Sequence, residues 1–547
     1  MTFSTMYKTI QLKSIFNLFL LTIFISVTVY VTNNEKRFET AMPILRNLAP
    51  TKFEISNLKI SPMSSYDETQ YEQRLALLSD YRQVIKKIFV EARQVKRFTQ
   101  TLFQDSPSKR SELEDDFSRH VVPFNDLIYN IKTLGDVIIK ESEKELAQLG
   151  EIVQKQIHEL QNPKNCKTAR KLICDSGKTC GTGCSFHHFA YCLFVALGTN
   201  RTMIWGSTIS NSLEGIKEVF LPLSETCQKV DEVGVVNWHS DRSSNPTPDN
   251  VPVIKVAAKL QDTSFKPFTI PADLKERVVK LHNDPNVWWI GQIMRYLFRG
   301  QPWVMEIVQD IKEKFQIKQP YASIHVRRTD KVSLHLAPAH ELSDYMDHVT
   351  EWFNDYERFH ARKVPRKVYI ASDDQTVIEE AIAKFPNYEF AHYWLGKKHK
   401  SSTTTSRKSL DGLLAIVCDV ILLSEGDYFV GTYSSNVGTL VKQLMDSRKD
   451  ALFSAHSLDL DMRYGSLKAE RSCKPLFEAI ADHAPGDASE ISLKTGDQIE
   501  YFPTKQDFSY KVFGKNRRTG ESGLFPLHKT KQVLVTAPYP GYNFTLG

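Results

Sequence analysis

Three short apolar runs constrain the fold most. YASIHV (321–326), KVYIAS (367–372) and DYFVGTY (427–433) are rich in β-branched and aromatic residues, and each gives way abruptly to polar side chains. These are Arg327-Arg328, Asp373-Asp374 and Ser434-Ser435-Asn436. Near-continuous apolar strands are buried on both faces, and stretches of helical pattern separate these three. The expected fold class is therefore α/β, with a doubly wound, Rossmann-like parallel sheet whose ligand lies past the carboxyl ends of the strands. The sharpest of the three ends is YASIHVRRTDK, where Arg327, Arg328, Asp330 and Lys331 follow a buried strand. A guanidinium offers a fixed fork of donors that fits phosphate oxygens, so this end is a candidate pyrophosphate site. The plainer alternative is a surface turn capped by cations. Neither G-x-x-x-x-G-K-S/T nor G-x-G-x-x-G occurs, which argues against an ordinary P-loop or dinucleotide domain.

A net charge of +6 spread over 547 residues, with no long block of either sign, gives no support to nucleic-acid binding. Near the amino terminus, residues 15–32 carry an apolar run preceded by Lys8 and Lys13 and followed by no small-residue cleavage pattern. The expectation is a signal anchor, with 1–14 as a cytoplasmic tail and the bulk of the chain lumenal; a cleaved signal peptide is the rival reading. Residues 33–66, with Pro43, Pro50 and Pro62, read as a stem. Residues 67–162 carry a coiled-coil-like stripe that includes Leu78, Ile85, Ile88, Leu146, Leu149, Val153 and Ile157. Pairing with a second copy and folding back within one chain are both open for that stripe. Six cysteines fall between 166 and 227, which in a lumenal chain suggests disulfides. A zinc site from Cys180, Cys184, His187 and His188 is the alternative. Cys418, inside IVCDVILL, reads as a buried thiol, and Asn200 and Asn543 head glycosylation sequons.

From Cys473 onward the pattern changes to short strands with turn chemistry, so 473–534 is expected to be a small β-barrel. EISLKTGDQI and Gly523-Leu524-Phe525-Pro526 resemble a Src-homology-3 barrel, although Ala481 and His483 stand where its aromatic pair is expected. A structural or acceptor-shaping role suits such a groove better than peptide binding.

Four pieces together resemble the α-(1,6)-fucosyltransferases of N-glycan cores. They are CGTGCSFHHFAYC (180–192) with SETC (224–227), NDPNVWWIGQIMRYL (283–297) with QPW (301–303), HVRRTDKV (325–332), and the closing barrel. The resemblance implies a GT-B-like catalytic region over 166–460. It also implies inverting transfer of L-fucose from GDP-fucose to O6 of the innermost asparagine-linked GlcNAc, without cofactor or metal, by a type II Golgi membrane protein. It assigns Arg327, Arg328, Asp330 and Lys331 to catalysis, and His325, Arg327, Arg328, Asp373, Asp374, Asp419 and Ser435 to the donor side. It pairs Cys166 with Cys227, Cys174 with Cys192, and Cys180 with Cys184, and expects a homodimer through the stem helices. Asp459-Leu460-Asp461 is a D-x-D that elsewhere holds manganese, but it falls beyond the last catalytic strand. Two departures stand out. Where the family has a glutamate as general base this chain has His335, within VSLHLAPAHEL, with Glu341 as the substitute should the loop rearrange. Gly431 and Gly438 occupy the positions of a family disulfide. The rival functions are fucosyl transfer to a chitin oligosaccharide or protein, and a non-catalytic glycan- or peptide-binding relative that lacks the base.

Overall fold

The computed structural model describes residues 140, 142–175, 181–206, 215–230, 234–238, 251–256, 269–329, 339–393, 409–459, 476–502 and 511–539. All belong to one compact unit, Glu72–Lys86 with Gly135–Gly547. The tail, anchor and stem (1–66), the helical stripe up to 139, Cys180, Asp330, Lys331, His335, Asp461, Cys473 and Asn543 lie outside the described residues. Among the described residues no helix is long and apolar enough to cross a membrane.

Helix α1 (142–161) carries the end of the apolar stripe. Leu146, Leu149, Val153 and Ile157 are fully or almost fully buried within the chain, so this part of the stripe is not available to a second copy. β1 (Lys171–Cys174), α2 (Thr182–Gly198), β2 (Thr202–Trp205), β3 (Val236–Asn237) and β4 (Val253–Val256) build a parallel sheet in the order β2-β1-β4-β3. After β5 (Thr269–Pro271), α3 (Lys275–Leu281) leads to α4 (Pro285–Leu297) and α5 (Pro302–Lys314), both of which start on a proline. That residue suits a first helical turn, where its missing N–H costs nothing. Asp284 caps α4 by accepting the Val287 amide at 3.1 Å.

The second parallel sheet carries the three runs singled out in the sequence. β6 (Ala322–Val326) is followed by α6 (Leu342–Phe359), β7 (Lys367–Ser372), α7 (Thr376–Lys384) and β8 (Glu389–Ala391), then by α8 (Leu410–Glu425), β9 (Tyr428–Gly431), α9 (Asn436–Asp446) and β10 (Ala455–Ser457). Its order is β10-β9-β6-β7-β8, every pair parallel. The chain winds outward from β6 in both directions, as a doubly wound sheet does. Alternation along β6 sends Ala322, Ile324 and Val326 into a core with Met346, Val349 and Phe353 of α6 and Val377 and Ala381 of α7. Each large apolar side chain buried there contributes about 1.5–3 kcal/mol. The opposite face of β6 carries Ser323, whose hydroxyl donates to the Leu423 carbonyl of α8 at 2.8 Å.

That contact belongs to a set that closes the carboxyl end of α8. The Tyr321 hydroxyl donates to Leu422 O at 2.7 Å, Arg448 Nη2 to Ser424 O at 2.5 Å and Gln319 Nε2 to Glu425 O at 3.4 Å. The last carbonyls of a helix have no partners of their own, and here four side chains from outside α8 supply them. Lys312 adds an ion pair to Glu425 at 2.6 Å, beside a cavity of about 370 Å³.

The two α/β halves meet through α2, α4 and α9. A Cβ on Gly291 of α4 would lie 2.3 Å from the Gln443 carbonyl, and one on Gly183 of α2 would lie 3.0 Å from Asn436, so the helices approach at backbone distance. His187 spans the same seam, 3.1 Å from Gln443 Oε1 and 2.7 Å from Gly183 O. Cys174–Cys192 and Cys166–Cys227 are bonded, and Cys184 is also in a disulfide, so Cys184 and His187 have structural partners and are lost to the zinc alternative. Cys418 is a buried free thiol whose pKa burial pushes up to about 12.

Beyond these halves, β11 (Leu476–Ala479), β12 (Gln498–Tyr501), β13 (Lys511–Asn516), β14 (Ser522–Pro526) and β15 (Thr530–Gln532) form an antiparallel sheet around Phe477, Ile499, Tyr501 and Phe525. Where an aromatic pair was expected, His483 is instead 2.8 Å from the buried Glu490 carboxylate. β16 (Val535–Ala537) then pairs in parallel with β5. Tyr539 donates to Thr269 O at 2.9 Å and packs edge-on against Trp289 of α4.

Candidate active site

β6 and β9 are neighbours, yet the chain leaves β6 toward β7 on the other side, so the switch point of the sheet lies between β6 and β9. Ligands of doubly wound sheets bind in the crevice that opens there. Arg327 and Arg328 follow β6 directly, and Thr432 to Ser435 follow β9.

Asp373, at the end of β7, holds the β6 end in shape. One carboxylate oxygen accepts Arg327 Nη1 at 2.5 Å and the Thr329 amide at 3.2 Å, and also bonds the Thr329 hydroxyl. Its other oxygen accepts the Arg328 amide at 3.0 Å. Burial pushes this carboxyl up, but the Arg327 charge and the N–H and O–H donors outweigh it and hold Asp373 below the usual carboxylate range. His325 is buried on β6, close enough to Asp373 to add to that field. Asp374 does different work: its side chain accepts the amide and hydroxyl of Thr376 at 3.1 and 2.8 Å and starts α7. The two arginines diverge. Arg328 Nη1 reaches Glu380 of α7 at 2.7 Å, away from the Asp373 clamp.

A second carboxylate grips the β9 end in the same way. Asp459 accepts the amides of Tyr433 and Ser434 at 2.8 and 3.3 Å and the Ser457 hydroxyl at 2.9 Å. The first aspartate of the D-x-D is thus occupied by loop amides. Ser435 stands at the N-cap of α9, buried, its amide 3.2 Å from Thr432 O. A Cβ at Gly438 would meet the Thr432 carbonyl at 2.3 Å, so this glycine lets the first turn of α9 press against the loop.

Arg327, Arg328, Asp373 and Asp374 therefore share one edge with His325, and Ser435 lies on the neighbouring loop. Asp419 stands lower. It lies on α8 and accepts the Tyr369 hydroxyl at 2.6 Å, beside a residue three positions before the end of β7 at Ser372. Burial lifts its carboxyl to about 7, and the Tyr369 hydrogen bond opposes that shift. Glu341 caps α6, sharing a reciprocal pair with Asp344, so its carboxylate already serves the helix end. Thr329, Glu380 and the clamp function of Asp459 escaped the sequence reading. An acidic residue three or four positions from a lysine on a helix, as Glu380 is from Lys384, looks like any solvated pair.

Comparison with known proteins identifies relatives by sequence. A sequence model of α-(1,6)-fucosyltransferase N- and catalytic domains matches residues 28–464. An α-(1,6)-fucosyltransferase of Drosophila melanogaster is 33% identical over 403 residues, 73% of this chain and 62% of that protein. One of Caenorhabditis elegans is 32% identical over 396 residues, 71% of this chain and 68% of that protein. The chain thus spans less than two thirds of the fly relative. Among solved structures, the α-1,6-fucosyltransferase NodZ soaked with GDP-fucose is 13% identical and covers 50% of this chain and 92% of its own, at a TM-score of 0.31. A mutant of Arabidopsis thaliana FUT1 in complex with GDP is 13% identical over 56% of this chain and 77% of its own, at 0.34.

Proposed function

The chain belongs to the α-(1,6)-fucosyltransferase family, and on that premise we propose that it transfers L-fucose from GDP-fucose to O6 of the innermost asparagine-linked GlcNAc of N-glycans, with inversion. The observation that carries this reading is the arginine pair at the switch point of a parallel sheet, where Asp373 holds the Arg327 guanidinium and the Arg328 amide. In the proposed reaction the C1–O bond to the β-phosphate breaks and its electron pair leaves with GDP. The acceptor O6 bonds C1 from the opposite face, and the O6 proton passes to His335, whose reference pKa near 6.5 suits a base at neutral pH. Arg327, Arg328 and Lys331 neutralise the charge that grows on the pyrophosphate, a task that other transferases give to a cation. Asp330 orients these cations, while His325, Asp373, Asp374, Asp419 and Ser435 shape the donor side.

The same reading takes the two parallel sheets as a GT-B-like pair and the antiparallel sheet after 476 as a Src-homology-3-like module that shapes the acceptor site. It places the protein in the Golgi membrane by the run at 15–32, as a type II protein that dimerises through the stem helices before 139. The test incubates the protein lacking residues 1–32 with GDP-fucose and a GlcNAc-terminated N-glycan, and locates new fucose by mass spectrometry. Fucose on the innermost GlcNAc is expected; fucose elsewhere or none overturns the assignment. In the same assay His335→Ala should lower turnover by about 10²–10⁴-fold and Glu341→Ala far less, as befits loss of a general base against loss of a helix cap. Equal rates for both variants and the parent would remove His335 from the chemistry.

A further inference from the structure

Arg328 and Arg327 are adjacent but differently held. Arg327 pairs with Asp373, a carboxylate that also gathers the backbone of the loop. The side chain of Arg328 leaves that clamp and meets α7, where Glu380 Oε2 accepts Nη1 at 2.7 Å. Glu380 Oε1 accepts Lys384 Nζ at 2.8 Å, so one carboxylate bridges a largely exposed lysine (61%) and a half-buried arginine (24%). The Arg328 hydrogen bond is the first cause holding the Glu380 carboxyl below its ordinary range, with Lys384 second. Among the described residues Glu380 is the hydrogen-bonding partner of the Arg328 guanidinium. A guanidinium has five N–H donors, and a single contact fixes the direction of the plane while leaving most of the fork open.

We propose that Glu380 is a positioning residue for donor binding: it holds the Arg328 guanidinium by one N–H at the carboxyl end of the β6–β10 sheet and leaves the rest of the fork to the pyrophosphate of a nucleoside diphosphate. This rests on the reading of the β6 end as a diphosphate site. Without Glu380 the long Arg328 side chain regains rotamer freedom, and binding must then order it again, which weakens affinity. The loss is expected in ground-state affinity, because Glu380 acts through the Arg328 side chain.

The experiment compares parent, Glu380→Ala, Glu380→Gln and Lys384→Ala by GDP titration calorimetry, donor kinetics and thermal melting. Glu380→Ala should raise the GDP Kd and the KM for GDP-fucose by about three- to tenfold with kcat within twofold. Glu380→Gln, which keeps an acceptor oxygen, should recover much of the loss, and Lys384→Ala should bind as the parent does. The melting temperature without GDP should stay within a degree or two of the parent, since Glu380 lies on a partly exposed helix face. A parent that binds GDP beside a Glu380→Ala protein that binds it equally well overturns the inference and leaves the diphosphate reading standing. So does a Glu380→Ala loss confined to kcat, or one that follows a fall in stability. A parent that does not bind GDP at all overturns both.

Discussion

Both ends of the β6–β10 sheet carry arginine and use it differently. At the amino-terminal end Tyr321, Ser323, Gln319 and Arg448 each donate to a carbonyl of α8. Those acceptors are neutral backbone groups that cannot move away, and the donors serve only the fold. At the carboxyl end the guanidiniums of Arg327 and Arg328 are matched by the side-chain carboxylates of Asp373 and Glu380. A carboxylate can share a guanidinium with an incoming phosphate, since the fork has donors to spare. An arginine committed to a helix carbonyl is a cap, and one balanced by a side-chain carboxylate can become a ligand.

The contrast can be broken at either end. Arg327→Ala should lower kcat/KM for GDP-fucose by about 10²–10³, the scale for removing one preorganised donor to a developing anion, with a much smaller fall in melting temperature. A variant that melts early yet retains turnover per folded molecule would make Arg327 a cap like its counterpart below. Arg448→Ala should do the reverse. Leaving the Ser424 carbonyl without its donor costs about 1–3 kcal/mol, read as an earlier denaturant midpoint, while kinetics of the folded fraction stay unchanged. A loss of donor affinity there would mean that the lower end also reaches the site.

Asp419 lies between the two ends and gives the smallest and most conditional effect. Its folded pKa of about 7 lies above the reference value of 3.8. The stability linked to it is therefore full below pH 3.8 and lost as the pH rises through about 7. Asp419→Asn should gain stability on the parent between pH 5 and pH 8, with the difference levelling off above. A flat difference over that range would place a compensating charge beside the carboxyl.

The central sheet was legible because a strand buried on both faces leaves a continuous apolar run, and β6, β7 and β9 fall within the three runs picked from the sequence. The first sheet was not. β1, β2 and β4 have four residues each, too few for a period to stand out from the neighbouring helices. At the site, the arginine pair could be read from its chemistry and position, but the clamps could not. Asp373 acts on residues 44 to 46 positions earlier, and Asp459 on loop amides 25 and 26 positions earlier. Such contacts follow from strand order, which no local pattern encodes. The same holds for the D-x-D, whose letters suggest a cation and whose first aspartate meets backbone amides. Glu341 shows the converse: the sequence offers it as a substitute base, and the pairing with Asp344 makes it a helix cap.

The pairing of β16 with β5 bears on how the protein is made. Tyr539 and its partner Thr269 are 270 residues apart, with the whole second sheet and the antiparallel sheet between them. During synthesis at about 5–20 residues per second, Thr269 therefore waits roughly ten seconds or more for the strand that covers it. Throughout that interval Thr269 and the ring of Trp289 lack the Tyr539 contacts they make in the finished chain. A ribosome-bound intermediate stopped before residue 535 should accordingly be more open to proteases around 269–289 than the released protein, the delay of a contact that closes only after nearly everything else has been made.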